Sequence, residues 1–265
     1  IYKQKELFIM AEKKAYDFPT EIISLPSEGK GYPADSPLSK GSIEIKYMTA
    51  REEEILASQN LIKKGVVLDM LFESIIADKT INPDDILLGD KNAIVLATRI
   101  LGYGAQYNVE IATDDMGGKE KVTIDLSKVE TNGVDASNLN SNNEYTFVTP
   151  TGKNKIVFKL LTHGDEKKLD VDVKAMQRLN KGGVSPELTT RYRYMIKSVD
   201  GKEDTKSVVD FISNKFLARD TREFRNYIKG LQPDMKMQFD FDNPVTGEKE
   251  STPIPMGVGF FWPSE

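Results

Sequence analysis

The chain has 265 residues, which is enough for one large domain or for two of ordinary size. Its 36 Lys and Arg residues against 41 Asp and Glu residues give a net charge of −5, and neither sign gathers into a block, which argues against a nucleic-acid partner. The lack of cysteine excludes disulfides, thiolate metal sites and cysteine nucleophiles, and the apolar runs are too short to span a bilayer.

Residues 1–42 are predicted to be an N-terminal extension followed by a Pro/Gly-rich arm. The string MAEKK at Met10 resembles a translation start, so we interpret residues 1–9 as the extension. The arm contains LPSEGKGYP, in which proline and glycine interrupt any regular element. Two alternatives stay open: the arm covers its own domain, or it docks on a neighbouring protein with Tyr32 as an aromatic anchor.

Residues 43–130 are predicted to form a first α+β module. The strand-like string IEIKYM is followed by Thr49 and Glu52, which form a capping box. The helix that begins there is expected to end at Gly65.

Two further helix starts follow in the same module. Asn82 is predicted to be an N-cap, because Pro83 follows it at the first helical position. Asp90 is expected to cap the helix KNAIVLATRIL, which Gly102 would end. Alternating residues around a glycine-containing turn then predict a β-hairpin.

Residues 131–143 have the composition of a polar linker, and residues 144–265 are predicted to be a second α+β module. A Ser-Pro pair at Ser185 is expected to start the helix ELTTRYRYMIKSV, and a capping box at Asp220 is expected to start TREFRNYIK. A hairpin and an aromatic C-terminal tail complete this module.

The two modules share an order of signals that indicates an internal duplication. Placing Ile43 on Ile156 aligns IEIKYMTAREEEIL with IVFKLLTHGDEKKL, so that Thr49 lies on Thr162. The alternative is a coincidence of common strand and cap signals. The predicted fold is α+β, with two tandem duplicated modules that each contain short strands, capped helices and a terminal β-hairpin.

Residues for catalysis or metal binding are not apparent in the sequence. The one histidine, His163, has no neighbouring motif, so a surface or helix-cap role is favoured over catalysis. The adjacent Asp84 and Asp85 are explained by a helix N-terminus. We therefore predict no catalytic, cofactor-binding or metal-binding residue, and no cofactor.

Three strings of the sequence resemble a known family. LPSEGKGYP, INPDDILLGDKNAIVLATRILGYGAQY and PMGVGFFWP are similar to the baseplate hub subunits of T4-like contractile-tailed bacteriophages, over about Phe18 to Pro263. The resemblance implies a non-enzymatic late protein that helps to build the baseplate around hub and tape-measure proteins. It also implies a location in the virion tail baseplate, or in the host cytoplasm during assembly.

Two classes of function remain open under this resemblance. The chain is a component or assembly factor of the baseplate hub, or it is a chaperone of the tail tape measure or tube that leaves before maturation. A glycan hydrolase would need a matched pair of carboxylates, for which there is no motif. Five aromatic residues are predicted to contact partners: Tyr32, Tyr103, Phe260, Phe261 and Trp262. The tail that contains the last three either folds back on the second module or anchors in a partner.

Overall fold

The computed structural model describes residues 8–9, 18–112, 119–179, 183, 185–242, 247–254, 256 and 258–261. Over these residues the chain contains eight α-helices and twelve short strands. The strands form antiparallel sheets of two or three strands each. The predicted α+β fold class is therefore confirmed. The predicted extension lies outside the described residues, except for 8–9.

The first half of the chain begins with a small sheet, continues through helices and ends in a hairpin. Its elements are β1 (Phe8–Ile9), β2 (Thr20–Ser24), β3 (Ser42–Lys46), α1 (Ala50–Ala57), α2 (Gln59–Lys64), α3 (Val67–Ile75), a 3-10 turn (Pro83–Asp85), α4 (Leu88–Tyr103), β4 (Gln106–Ala112) and β5 (Lys119–Asp125).

The predicted capping box is present at the start of α1. The side chain of Thr49 accepts a hydrogen bond from the N–H of Arg51, and the Glu52 carboxylate accepts one from the Thr49 N–H at 2.8 Å. Gly65 ends the helical stretch with a φ of 73°, also as predicted. The single helix expected between them is wrong, because Ser58 is extended and divides it into α1 and α2.

The start and end of α4 differ from the prediction. The residue at the N-cap is Leu87, which offers no side-chain acceptor, and Asp90 lies two residues inside the helix. The Asp90 carboxylate points away from its own helix end because it accepts hydrogen bonds from the distant Ser27 and Tyr32. The helix also runs through Gly102 and reaches Tyr103.

The second half follows a similar order. Its elements are β6 (Thr131–Asn132), β7 (Tyr145–Val148), β8 (Lys155–Phe158), α5 (His163–Leu179), α6 (Glu187–Met195), β9 (Ile196–Val199), α7 (Thr205–Asp210) with a π-helical turn (Phe211–Lys215), α8 (Ala218–Leu231), β10 (Asp234–Met235), β11 (Gln238–Asp242) and β12 (Lys249–Pro253).

Three expectations for the second half are wrong. The residue at the N-cap of α6 is Pro186 and not Ser185, and no side chain caps this helix. The string IKSV is strand β9 and not helix, because it pairs with β8 and buries Ile196 and Val199. Asp220 does not cap α8: Leu217 is at the N-cap, and the Asp220 carboxylate accepts from the N–H of Thr151 at 2.9 Å. This is the arrangement of Asp90 in α4.

The halves correspond in further respects. The side chain of Thr162 accepts from the N–H of Asp165, whose carboxylate accepts from the Thr162 N–H, which repeats the box at Thr49. A hairpin precedes this box in each half, and a hairpin follows the helix that carries the buried aspartate. These correspondences agree with the duplication, which stays a prediction.

The two halves are joined by packing and by backbone hydrogen bonds. One continuous cluster of buried side chains includes residues of both. The N–H of Leu88 donates to Leu161 O at 3.2 Å, and the N–H of His163 donates to Ile86 O at 2.8 Å. The backbones of the two halves also approach closely where Gly89 of α4 lies against Pro233. An added Cβ at Gly89 would lie 1.6 Å from the carbonyl oxygen of Pro233, so the position requires glycine.

Part of the predicted linker is paired with the second half. Strand β6, at its start, forms an antiparallel pair with β10. Leu139, near its end, forms a bridge with Tyr145. The predicted module boundaries stay predictions.

Candidate functional site

Several buried polar side chains lie at or beside the junction between the halves, which is the candidate site. Asp90, which is fully buried, accepts three hydrogen bonds there. They come from the Ser27 N–H at 2.9 Å, the Ser27 hydroxyl at 2.7 Å and the Tyr32 hydroxyl at 2.6 Å. The Tyr32 oxygen in turn accepts from the N–H of Leu87 at 2.9 Å. We call these four residues the Asp90 network, which fastens the arm to the start of α4.

Burial dominates the protonation of this network. It raises the pKa of Asp90, although the hydrogen bonds from Ser27 and Tyr32 act in the opposite direction. Burial also raises the pKa of Tyr32, and the neighbouring Asp90 carboxyl adds to that rise. Tyr32 therefore keeps its proton, and its hydroxyl donates a hydrogen bond to the Asp90 carboxyl group.

The position of Tyr32 favours one of the two alternatives for the arm, and docking on a partner stays a prediction. Its side chain is only 6% exposed and lies within its own chain. The ring therefore offers no surface for a partner, and the geometry agrees with an arm that covers its own domain. The adjacent Pro33 and Asp35 are exposed.

A cleft of about 570 Å³ lies beside the arm, between the two halves. Its walls include Pro33 and Asp35 from the arm, and Glu144 and Lys197 from the second half. The cleft is lined by a mixture of polar and apolar residues and carries charges of both signs. It gives no clear preference for one kind of ligand.

The one histidine lies in a second polar cluster at the junction. Of the surface or helix-cap role predicted for His163, the surface alternative is wrong because the residue is 5% exposed, and the residue does lie at the first position of α5. Its Nε2 lies 2.7 Å from Oδ1 of Asp69 on α3, and Lys167 Nζ lies 3.1 Å from the same oxygen and 2.8 Å from Oδ1 of Asp84. We call these four residues the junction cluster. It joins α5 to the first half.

The junction cluster has the residue types of a metal site, but an ammonium group already occupies the position of the cation. The ligand atoms of Asp69, Asp84 and His163 lie within 4.8 Å of one another. Hydrogen bonds to Asp84 and Asp69 raise the pKa of Lys167, so it stays charged between the two carboxylates. The charged side chains of the cluster thus form an ion-pair network, and the expectation of no metal stays a prediction.

The geometry of the junction cluster does not complete a hydrolytic site among the residues that the structure describes. His163 Nε2 faces a carboxylate, as in a catalytic dyad, but its buried Nδ1 has no hydrogen-bond partner in the described part of the chain. A nucleophile would have to lie within hydrogen-bond reach of that nitrogen. The arrangement fits a structural contact between the halves.

The aromatic tail is fastened through a buried arginine. Arg99, which is 1% exposed, donates from Nε to the carbonyl oxygen of Phe260 at 2.9 Å. Its other nitrogens donate to the carbonyl oxygens of Gly104 and Gln106. Phe260 and Phe261 are buried, so the tail folds back on its own chain, but Phe260 contacts Arg99 and Tyr107 of the first half, whereas the second module was expected to receive it. Trp262 lies outside the described residues.

Tyr103 is the predicted aromatic contact that keeps part of its side chain at the surface. Its hydroxyl donates to the Glu53 carboxylate at 2.9 Å. Burial and this hydrogen bond raise the pKa of Tyr103 to about 12. Contact with a partner by the five aromatic residues stays a prediction, and the structure favours Tyr103 over the three that are buried.

Sequence reasoning missed the side chains that hold the junction together. Asp69 and Lys167 carry no signal in the sequence, because each looks like an ordinary charge on a helix. Arg99 did offer one, since it interrupts the apolar string AIVLATRIL, and a charge in a fully buried helix needs partners.

The fold and the junction together define a mixed α+β protein in which the prominent polar clusters serve contacts within the chain. Among the residues described, none of the helices has the length and the apolar stretch needed to cross a bilayer. The family model described as T4 bacteriophage base plate protein matches residues 19–262. The chain belongs to this family. Comparison with curated proteins gives no match, and neither does comparison with solved structures.

Family membership confirms the resemblance drawn from the three strings and places the chain among phage baseplate proteins. It supports a structural role in the baseplate, a virion-tail location and contacts with other baseplate proteins. The hub assignment and the particular partners are finer statements, which follow as proposals.

Proposed function

We propose that the chain is a non-enzymatic subunit or assembly factor of the baseplate hub that acts through contacts with hub and tape-measure proteins. The observation that carries this proposal is the family match over residues 19–262, which includes both halves and the junction between them. The whole chain, and not one half, is thus the unit on which the family role depends.

The geometry of the junction supports a structural role. The Asp90 network, the junction cluster and Arg99 direct their polar groups to other parts of the same chain. Of these contacts, the junction cluster and the hydrogen bond from Arg99 to Phe260 connect the two halves, and such networks fix their relative position. A rigid block with fixed outer surfaces suits a part that must fit between neighbours in a large assembly.

Quantification of the protein in purified phage particles tests the proposal. A hub subunit is expected at a fixed ratio to the tail-tube subunit, and that ratio should persist through a second density gradient. A protein that is present in lysates and absent from particles would instead fit the tape-measure or tube chaperone.

Particles made without the protein provide the second measurement. We expect tails without a complete baseplate when its gene is silenced, with normal heads as the internal control. Normal tails and full infectivity would contradict both candidate functions. Crosslinking in assembling cells, followed by mass spectrometry, would then identify which hub or tape-measure protein is contacted.

A further inference from the structure

A groove with an apolar floor and a cationic rim lies between α6 and α8. It has a volume of about 320 Å³, and we call it the α6–α8 groove. The floor is lined by apolar and aromatic side chains from both halves of the chain: Leu88, Leu161, Tyr192, Met195, Ile228 and Met235. At the mouth of the groove, Leu188 of α6 is 44% exposed. The groove is therefore suited to an apolar side chain.

The rim of the groove carries three cations: Arg191 on α6, and Arg225 and Lys229 on α8. Within the described part of the chain, neither Arg225 nor Lys229 forms an ion pair, and Arg225 has a hydrogen bond of 3.3 Å to Tyr192. Arg191 lies 3.8 Å from its nearest carboxylate, at the limit of an ion pair. The charges at the rim are thus largely uncompensated.

One carboxylate lines the groove and offsets only part of the charge of the three cations. Asp234, the one acidic residue among the described lining residues, accepts from Asn92 Nδ2 at 2.9 Å and from the N–H of Met235 at 2.7 Å. The groove is consequently cationic on a protein whose net charge is −5. The charge of the groove is thus opposite in sign to the net charge of the whole chain.

The spacing of the rim cations defines the geometry of a complementary ligand. Arg225 and Lys229 are four residues apart on α8, so both lie on one face of the helix, about one turn apart. Arg191 faces them from α6 across the apolar floor. A segment with carboxylates about one helical turn apart, on either side of an apolar side chain, would match both the charges and the floor.

We infer that the α6–α8 groove binds a segment of another baseplate protein that presents an apolar side chain flanked by Asp or Glu. This inference rests on the proposed function, in which the chain acts by contacts between baseplate proteins. The apolar side chain fills the floor, and the carboxylates pair with Arg225, Lys229 and Arg191. Charge complementarity selects this occupant over a neutral apolar segment.

An unbiased peptide library tests the inference with the full chain. The probe is a cell-displayed library of random 12-residue peptides, sorted for binding to the labelled protein in low salt. We expect enriched peptides to contain Leu, Ile, Met or Phe within one helical turn of at least two Asp or Glu residues. Their binding should weaken as salt rises, because the pairs lie at the rim and are screened.

Variants of the rim locate the binding site. Fluorescence polarisation with the strongest enriched peptide should show a loss of about tenfold or more for the Arg225→Glu, Lys229→Glu double variant, since each exposed pair contributes about two- to fivefold before repulsion is added. The matched control is Lys168→Glu with Lys174→Glu on α5, which makes the same charge change at exposed positions outside the groove. It should bind within about twofold of the native chain.

A single variant protects the test from unfolding. Arg225 has a hydrogen bond to Tyr192, so its substitution could alter the groove, whereas Lys229 is exposed and Lys229→Glu removes no such contact. Lys229→Glu alone should weaken peptide binding severalfold without a change in melting temperature. Equal loss in the α5 control would overturn the inference.

Other outcomes also overturn it. These are a library without enrichment of acidic and apolar peptides, and binding that is insensitive to the rim variants. Sedimentation with phosphatidylglycerol vesicles that depends on the rim, without peptide selection, would assign the groove to a lipid headgroup instead. The presence of the protein in particles is measured separately, so a failed groove and a failed hub assignment give different results.

Discussion

Replacing Asp90 with Ala is expected to destabilise the folded chain, because three buried donors lose the same acceptor. The donors are the N–H and hydroxyl of Ser27 and the hydroxyl of Tyr32. Each buried donor left unsatisfied costs about 1–3 kcal/mol of stability. Part of the total cost is offset because the variant no longer buries a carboxylate. We expect a net loss of about 3 kcal/mol, or a fall in melting temperature of about 6–12 °C for a chain of this size.

Urea unfolding followed by circular dichroism measures this loss, with Asp220→Ala as the matched control. Asp220 is also buried near the start of a helix, but it accepts a hydrogen bond from Thr151 alone among the described residues. Its substitution should cost about 1 kcal/mol. Both variants should keep the native denaturant slope, because the extent of unfolding is unchanged.

Adding Tyr32→Phe completes a double-mutant cycle. Removal of the Tyr32 hydroxyl should cost less in the Asp90→Ala background than in the native chain, with a coupling energy of about 1–2 kcal/mol. The reasoning would be refuted if Asp90→Ala changed stability by less than about 0.5 kcal/mol, the range of ordinary surface substitutions. Equal costs for Tyr32→Phe in the two backgrounds would show that the two side chains do not act together.

Three other predictions concern the remaining polar contacts. Burial alone would raise the pKa of Glu52, but its hydrogen bonds lower that pKa overall. The ionised Glu52 therefore stabilises the fold above its unfolded pKa, and this stability is lost as pH falls through the folded pKa. Glu52→Gln should flatten the acid side of a plot of stability against pH, and an unchanged plot would contradict the prediction. Lys167→Ala should destabilise the folded chain by about 1–2 kcal/mol in thermal melting, because it leaves two carboxylates uncompensated. The control Lys168→Ala, at an exposed position, should leave the stability unchanged. Equal effects of the two variants would argue against the ion-pair network. Arg99→Lys should release the C-terminal tail, because one lysine cannot donate to all three carbonyl oxygens. Limited proteolysis should then cleave the tail faster than in the native chain. An unchanged rate of cleavage would show that Arg99 does not hold the tail.

The sequence predicted those features of the fold that depend on neighbouring residues. The capping box at Thr49 and the helix end at Gly65 are both present. In each case the interacting groups lie within a few residues, so the local pattern contains the full physical cause.

Features that depend on distant residues were not predictable. An aspartate near the start of a helix reads as a cap, and Asp90 does not act as one because Ser27 lies 63 residues away in the chain and supplies two donors. His163 looks exposed in the sequence, yet its contact with Asp69 spans 94 residues. The string IKSV reads as a continuation of helix until β8 is available to pair with it.

The backbone contacts between the halves have a consequence for the synthesis of the protein. The N–H of Leu88 and the carbonyl of Ile86 have partners at Leu161 and His163, which leave the ribosome more than seventy residues later. Until then these groups are satisfied by water, and the apolar surface around them stays exposed. The nascent first half is therefore incomplete as a folding unit, and its final structure depends on the arrival of the second. A truncated product that ends at the predicted linker should consequently aggregate or be degraded, and it should not accumulate as a stable fragment.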